Sequence, residues 1–483
     1  MSAALLGLLL GVAVQPAGAA SEDLSAVLQR LDRLESENAA LRARVATLEA
    51  QEAPAPSITP AAPEGPAGLV GTSATYAAEM LEHTEGITER PLRQLEARAE
   101  GELAHRVILS GGITAIADWQ SSNSPGSFGY LMRHPTIANQ VGDRATEIVL
   151  HSAQLALTAT VGEELTGYVE LLYDPEQSFG PGTITALTRN QVQLRRGWIL
   201  WGNLDKRPVY ALIGKLDVPF GLMDTLSPFT NSSNYHAFGG LAFGGQVGLA
   251  SGGLHVRAMA VQGGAQFRAA NTPVDGTAVP SRTNNFALDG RYTLALGEKG
   301  EVMAGASYLH GSPYCQAYPV THFSPCAENV PAWAAYGRLR YGPVTLLADY
   351  ATTTRPWPGS AVPDPANPLS IYEARDTESF TLGARLGLFG RVAGRDRHRL
   401  ALSAEFSRFR AGDSGSPWEK QDQWVGGIAW LPDPAMKLFA EYVHVDGFVP
   451  LNFLSGGNLP DGSSWSSQEA KTDVVLVGGQ MAF

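Results

Sequence analysis

The sequence predicts an all-β protein, a sixteen-stranded antiparallel transmembrane β-barrel preceded by an α-helical coiled coil. Three observations predict it: candidate strands alternate with period two from Val107 to Phe483, brief turns alternate with long polar loops, and the last strand ends on an aromatic residue. The composition agrees, with 53 glycines, 2 cysteines, 17% charged residues and a mean hydropathy of −0.07. A mean hydropathy near zero is expected for strands in which half of the side chains face lipid and half face the lumen.

Residues 1–19 are expected to be a signal peptide. Ala3 to Val14 form a short apolar core, and Ala17-Gly18-Ala19 offers small residues for cleavage before Ala20. The sequence divides the remainder into a coiled coil at 20–52, a Pro/Ala-rich linker at 53–72, a short helical connector at 73–104 and the barrel at 105–483.

The coiled coil is predicted from apolar residues at three- and four-residue steps. Its seam comprises Leu24, Val27, Leu31, Leu34, Asn38, Leu41, Val45 and Leu48. Opposite charges flank the seam and favour a parallel homo-oligomer in register. The buried Asn38 is typical of dimers, whereas porins are usually trimers, and we expect a trimer. The coiled coil is expected in the periplasm, with peptidoglycan as a further partner.

The linker and the connector differ in composition. The linker holds five prolines between Pro54 and Pro66, which predicts a semi-rigid extended spacer. The connector has patchy helical spacing and acidic character, with Glu79, Glu82 and Glu85 close together. Two positions stay open for it, beneath the barrel or inside its mouth.

The barrel region contains sixteen candidate strands, an even number. Brief turns such as Gly342-Pro343 alternate with long polar loops such as Thr353–Thr377. This wiring is typical of barrels in the outer membrane of Gram-negative bacteria, with both termini in the periplasm. Phe483 is the expected assembly signal. Aromatic residues on the apolar parity of the strands, Trp198 among them, indicate interfacial girdles that contact lipid.

On the opposite parity, thirteen charged side chains are expected to line the pore, seven basic and six acidic. They are Asp118, Glu170, Arg195, Arg257, Asp289, Arg291, Arg338, Arg340, Asp349, Arg385, Glu405, Lys437 and Glu441. Charges that faced lipid at mid-depth would each cost a few kcal/mol, so their parity indicates a polar, water-filled interior. Two interpretations stay open: the lining sets a transverse field in a narrow pore, or its salt bridges stiffen the wall.

The third long loop, residues 219–240, is more apolar than a simple solvent loop. We hypothesise that it folds inward and narrows the channel, and the alternative is a loop packed on a neighbouring subunit. The residues expected at the constriction are Pro219, Phe220, Gly221, Asp224, Asn231, Tyr235 and His236.

Cys315 and Cys326 lie in one long loop, and in an exported, oxidising setting they are expected to form a disulfide. No hydrolase elbow, phosphate-binding glycine loop or metal-ligand pair stands out. The sequence therefore predicts neither an enzyme nor a cofactor or metal site, and no nucleic-acid partner.

The segment from Arg196 to Gly221 resembles the LbtU family of siderophore porins. It carries a Gly-Asn-Leu turn at 202–204 and a Gly-Lys-x-x-x-Pro-Phe-Gly rim at 214–221, followed by a glycine-rich hairpin at 244–264. A coiled coil ahead of a sixteen-stranded barrel is also similar to the phosphate-selective porins. The resemblance implies an outer-membrane channel that passes or binds iron-chelate siderophores. No substrate-binding residues carry over, because the matching motif consists of turn and strand signals.

Two functions stay open. The first is a porin that forms a water-filled channel for small polar solutes and ions, with siderophores as one solute class. The second is an envelope-tethering or surface-binding protein that uses the barrel as an anchor. The longest loops are about twenty-five residues, too short for a large folded insert, and this favours the porin.

Overall fold

A computed structural model of the chain describes residues 68–125, 128–132, 142–174, 191–262, 283, 285–315, 329–358, 372–392, 397–416, 418–447 and 470–483, together with Ser36. From Gly68 onward they belong to one compact unit. Three predicted regions lie outside the described residues: the signal peptide, the coiled coil with its whole seam (apart from Ser36), and most of the linker. They stay predictions.

Sixteen antiparallel strands form the barrel, and each pairs with the next one in the chain. They are β1 (Val107–Ser122), β2 (Arg144–Val161), β3 (Leu165–Asp174), β4 (Gln191–Gly202), β5 (Val209–Asp217), β6 (Leu241–Ser251), β7 (Leu254–Val261), β8 (Asn285–Ala295), β9 (Gly300–Leu309), β10 (Ala332–Tyr341), β11 (Val344–Thr353), β12 (Glu378–Arg391), β13 (His398–Arg410), β14 (Lys420–Asp433), β15 (Met436–Gly447) and β16 (Ala470–Ala482). Every predicted strand is present, and the predicted barrel is confirmed.

The sheet closes because β16 pairs with β1, from Thr472 opposite Ser122 to Ala482 opposite Gly112. Beyond that ladder, Phe483 and Gly111 exchange two backbone hydrogen bonds of 2.9 Å. Closure leaves no edge strand in the ring, because each of the sixteen strands pairs with a neighbour on both sides. The chain ends on the same rim as the short turns, which we call the short-turn rim.

The two faces of the wall differ as the alternation predicts. Along β8, Leu288 and Tyr292 are exposed on the outer face, whereas Asp289 and Arg291 are buried on the lumen side. Apolar outward and charged inward is the pattern of a barrel wall in lipid.

One predicted lipid-facing aromatic points the other way. Between β3 and β4 the register shifts next to Glu170, and Arg195 becomes the extra residue of a β-bulge. Past the bulge the alternation is reversed, so Arg196 and Trp198 face the lumen. Trp198 stacks on Tyr168 at 4.5 Å between ring centroids instead of joining a girdle.

From Gly68 onward, the described residues include three short α-helices: α1 (Ala74–Met80), α2 (Arg90–Ala99) and α3 (Ser233–Phe238). The Ser73 hydroxyl accepts a hydrogen bond from the Tyr76 amide and caps α1. Before α1, the two-residue strand Val70–Gly71 pairs in parallel with the start of β1. Among the described residues, no helix is both long and apolar enough to be a membrane-spanning helix.

Gly214 of β5 should tolerate no side chain. Its φ is 151°, and an added Cβ would lie 2.1 Å from the Gly197 carbonyl oxygen. We expect Gly214→Ala to lower the free energy of unfolding by about 1–3 kcal/mol, because the neighbouring strand must shift. Urea unfolding in detergent micelles measures it. Gly290→Ala is the control, since no atom lies within 4 Å of its added Cβ; equal effects of the two changes would contradict the prediction.

Candidate functional site

The thirteen charged residues predicted to line the pore lie on the lumen side of the wall. Nine are buried, and the remaining four, Arg195, Arg338, Arg340 and Arg385, are half-buried. An open water-filled lumen would leave such side chains exposed. They are covered because two segments of the same chain occupy the interior, the loop between β5 and β6 and the connector that precedes β1.

The first segment, residues 218–240, is called the inner loop. Its backbone amides donate to side chains of the far wall: Gly221 to Ser307 Oγ (3.0 Å), Met223 to Asp349 Oδ2 (2.8 Å), Leu226 to Glu405 Oε2 (2.9 Å) and Phe229 to Glu441 Oε1 (2.6 Å). These acceptors lie on β9, β11, β13 and β15. Because β13 is eight strands from β5 in a ring of sixteen, the loop crosses the lumen.

The structure places all seven residues predicted for the constriction in the inner loop. Six are buried and Tyr235 is half-buried. The Asn231 side chain donates to the His83 carbonyl oxygen at 2.8 Å. Asp224 pairs with Arg338 at 3.3 Å and accepts a hydrogen bond from the Ile87 amide at 3.2 Å. The loop therefore contacts both the wall and the connector.

Met223 has a strained backbone at the turn of this loop. Its φ of 60° makes it the one non-glycine residue with a positive φ in the described part of the chain. Such a conformation costs on the order of 1 kcal/mol or more for a residue with a side chain. The hydrogen bond from its amide to Asp349 holds it in place.

The second segment is the connector, residues 73–104. It runs into the barrel from the short-turn rim, where Arg98 donates to the Gly162 carbonyl oxygen at 2.6 Å. At the inner loop, the Thr225 amide donates to the Thr84 carbonyl oxygen at 2.7 Å. The connector carries seven acidic and three basic residues, a net charge of −4.

Three carboxylates of the connector bind basic side chains of the lumen. Glu82 lies 3.1 Å from Lys437 Nζ and 3.2 Å from Arg397. Glu85 contacts Arg397 at 3.1 Å, Arg385 at 3.3 Å and Arg340 at 3.9 Å. Glu89 pairs with Arg291. Four of the predicted pore-lining residues thus bind these three carboxylates.

These pairings keep Glu85 and Glu89 ionised. Burial opposes ionisation, but the guanidinium groups of Arg385 and Arg397 lower the pKa of Glu85 below its ordinary value. In the same way, Arg291 and Arg338 outweigh burial and lower the pKa of Glu89 to about 2. The stabilisation from these groups is present above the unfolded pKa of about 4.3 and is lost as the pH falls through the folded value. The contacts therefore persist at mildly acidic pH.

Two arginines that sequence reasoning missed fix the shape of the connector. Arg90 donates to the carbonyl oxygens of Met80 (2.8 Å) and Ile87 (2.6 Å) and pairs with Asp217 at 3.1 Å. Arg196 bridges Asp217 at 2.6 Å and Glu170 at 3.2 Å. The adjacent pair Arg195-Arg196 interrupts the alternation of β4, and this was the signal for the bulge.

A cavity of about 330 Å³ lies beside Glu85, between the connector, the inner loop and the wall. It is lined by Arg340, Arg385, Arg397 and Lys437, and by the turns at Gly297 and Gly342 of the short-turn rim. A small solute at that rim is thus close to the ion pairs of the connector.

The predicted disulfide falls partly outside the described residues. Cys315 is buried and disulfide-bonded, whereas Cys326 is not among the described residues. Within the described ranges, no cluster of three or more His, Cys, Asp or Glu side chains has the arrangement of a metal site.

Sequence comparison relates part of the chain to curated proteins. No protein-family model matches it. A UPF0422 protein of Coxiella burnetii is 24% identical over 220 residues, 44% of this chain and 43% of that protein. A UPF0422 protein of Legionella pneumophila (strain Paris) is 33% identical over 76 residues, 16% of this chain and 14% of that protein. The chain thus spans less than half the length of these curated relatives.

Several solved structures are similar. Outer-membrane OmpT of Vibrio cholerae has a TM-score of 0.44 at 12% identity, over 78% of this chain and 97% of that chain. The outer-membrane channel DcaP of Acinetobacter baumannii has a TM-score of 0.45 at 15% identity, with the same coverage. An anion-selective porin from Comamonas acidovorans has a TM-score of 0.48 at 12% identity, over 78% and 99%. All three TM-scores lie below 0.5.

Glu441 should anchor the inner loop. Its carboxylate accepts the Phe229 amide at 2.6 Å and the Thr230 amide at 3.1 Å. We expect Glu441→Gln to lower the free energy of unfolding by about 1–3 kcal/mol, because both oxygens of the carboxyl group accept hydrogen bonds and the amide nitrogen of glutamine cannot accept one. Hydrogen exchange at residues 226–232 should become faster. Glu163→Gln, in an exposed turn, is the control; unchanged exchange in the Glu441 variant would contradict the prediction.

Asp224 should make stability depend on pH. Burial and the neighbouring Glu89 raise its pKa to about 7, and Arg338 offsets only part of this. The folded state therefore favours the protonated form, and stability falls as pH rises from the unfolded value of about 3.9 to about 7. Asp224→Asn mimics that form. At pH 8 it should be more stable than the parent by at least about 1 kcal/mol, with little difference at pH 3.5.

Urea unfolding at both pH values measures the effect of the Asp224 substitution. Asp205→Asn, in the exposed turn between β4 and β5, controls for the lost charge. If the parent and the Asp224 variant have parallel stability profiles between pH 4 and pH 8, the assignment is wrong.

Proposed function

We propose that the protein is an outer-membrane channel for small polar solutes. The observation that carries the proposal is the wall with two faces, which is apolar outside and carries the thirteen predicted charged side chains inside. Charged residues on the lipid face of a barrel cost about 2–4 kcal/mol each at mid-depth. Charged side chains are therefore expected on the inner face, where they meet water or polar segments of the chain. Seven basic and six acidic groups also suit the passage of polar solutes and ions.

The wiring supports a location in the outer membrane of a Gram-negative bacterium. Short turns and the chain end at Phe483 share one rim, and the long loops share the other. Barrels with this asymmetry keep their short turns in the periplasm. In that orientation the connector enters the lumen from the periplasmic side. The predicted coiled coil would then oligomerise in the periplasm, with a trimer as our expectation.

For the solute, we propose iron-chelate siderophores as one class. The support is the resemblance of residues 196–221 to the LbtU siderophore porins. Growth of a deletion strain on limiting iron, supplied with different chelates, tests this class separately from channel formation.

A second function is favoured by one observation, the filled lumen. The connector and the inner loop bury most of the charged wall. A permanently filled barrel would serve as an anchor, with the coiled coil binding peptidoglycan. Affinity for purified peptidoglycan without any ion current would support this function over the channel.

Arg340→Glu should change the ion selectivity of the channel. Arg340 lines the lumen cavity at the short-turn rim, so a negative charge there attracts cations to the pore. We expect the cation-to-anion permeability ratio to rise severalfold, measured as the reversal potential of planar bilayers in a KCl gradient. Arg207→Glu, in a short turn outside the lumen, should leave the ratio unchanged. An unchanged permeability ratio in the Arg340 variant would contradict the prediction.

A further inference from the structure

The stretch between α1 and α2, residues 81–89, is held in the lumen differently from its surroundings. We call it the gate segment. It contains Glu82, Glu85 and Glu89, whose carboxylates bind arginine and lysine side chains of the wall. In addition, the Arg257 side chain donates to the Thr88 carbonyl oxygen. By contrast, Val70–Gly71 is fixed by backbone pairing with β1. The connector therefore follows a strand that is anchored by its backbone, whereas the gate segment is held by charged side chains.

The wall behind the gate segment carries charged groups that water can solvate when the segment detaches. The groups that face it are Arg257, Arg291, Arg340, Arg385, Arg397 and Lys437. Water solvates such groups well, so departure of the segment would hydrate these charges. A packed apolar contact of the same area would lack this property, because its exposure to water costs about 25 cal/mol per Å². The buried apolar residues of the segment are Leu81 and Ile87.

The segment also meets the inner loop at the centre of the lumen. The Thr225 amide donates to Thr84, the Ile87 amide donates to Asp224, and the Asn231 side chain donates to His83. His83 in turn contacts the Phe229 carbonyl oxygen at 2.9 Å. These contacts join the two filling segments into one obstruction across the barrel. The inner loop connects β5 to β6 and so stays in place, whereas the gate segment precedes β1. Detachment of the gate segment therefore removes one of the two parts of the obstruction.

We propose that the gate segment is an autoinhibitory element, which closes the channel while Glu82, Glu85 and Glu89 bind the lumen cations and opens it when they detach. The inference rests on the proposed function, because a gate requires a channel. It adds a closed resting state, a moving part and the pairs that hold that part.

The first test neutralises the three carboxylates. The variant E82Q/E85Q/E89Q keeps the shape of the side chains and removes their charge. We expect its open probability in planar bilayers to rise by about tenfold or more over the full-length parent, since three charge-assisted contacts are weakened together. The matched control is E79Q/E100Q/E102Q, with the same charge change in the same connector. Those carboxylates form their ion pairs with Arg93 of α2, so the control should stay as closed as the parent.

A charge exchange tests one pair by itself. Glu85→Arg places a cation against Arg385 and Arg397, and Arg385→Glu places an anion against Glu85, so each should open the channel. The double variant E85R/R385E restores an opposite pair and should close it again, at least in part. Equal opening in the single and double variants would overturn the assignment of this pair.

Hydrogen exchange separates failure of the gate from failure of the channel, with heat-modifiable electrophoretic mobility as the check that each barrel is folded. Faster exchange at residues 81–89 together with increased current supports the gate. Faster exchange with unchanged current overturns the gate and leaves the channel intact. Faster exchange with no current in any variant overturns the channel itself. Unchanged exchange in E82Q/E85Q/E89Q shows that the carboxylates do not hold the segment, and also overturns the gate.

Discussion

The hydrogen bonds that join β16 to β1 are the constraint on which the rest of the structure depends. In lipid, a sheet satisfies all of its backbone groups only when it closes, and closure divides every strand into an outer and an inner face. A ring of sixteen strands encloses more space than its own side chains fill. In this chain the connector and the inner loop occupy that space, and the charges of the inner face became their binding partners.

The mixed charge of the lumen follows from the chemistry of those two segments. The inner loop presents backbone N–H groups, which need acceptors, and Glu405 and Glu441 provide them. The connector presents carboxylates, which need cations, and Arg385 and Lys437 provide them. Because a buried charge without a partner is costly, these four charged residues lie where a segment of the matching kind crosses. Of the two interpretations of the lining, internal salt bridges describe these contacts better than a transverse field.

Local patterns were enough to predict the strands and the inward parity of the charges, because alternation and turn chemistry involve neighbouring residues. They failed at Trp198, where a single bulge residue, Arg195, reverses the alternation. Local patterns also could not predict where the connector lies, since its place in the lumen is set by pairs such as Glu85 with Arg385. Those two residues are 300 positions apart, and neither flanking sequence marks the other as a partner. The inner loop was predicted only in part. Its apolar composition could be recognised in the sequence, but the side chains that accept its hydrogen bonds could not.

The order of the chain has a consequence for how such a molecule assembles. The connector and the inner loop precede their binding partners on β8 to β15, so the filling is synthesised before most of the wall that holds it. A completed cylinder would oblige both segments to thread through its mouth, whereas a sheet that is still open allows them to settle on its concave side. The last strand then seals the interior around its contents, and the slowest event in folding should be this late encounter between distant parts of the polypeptide.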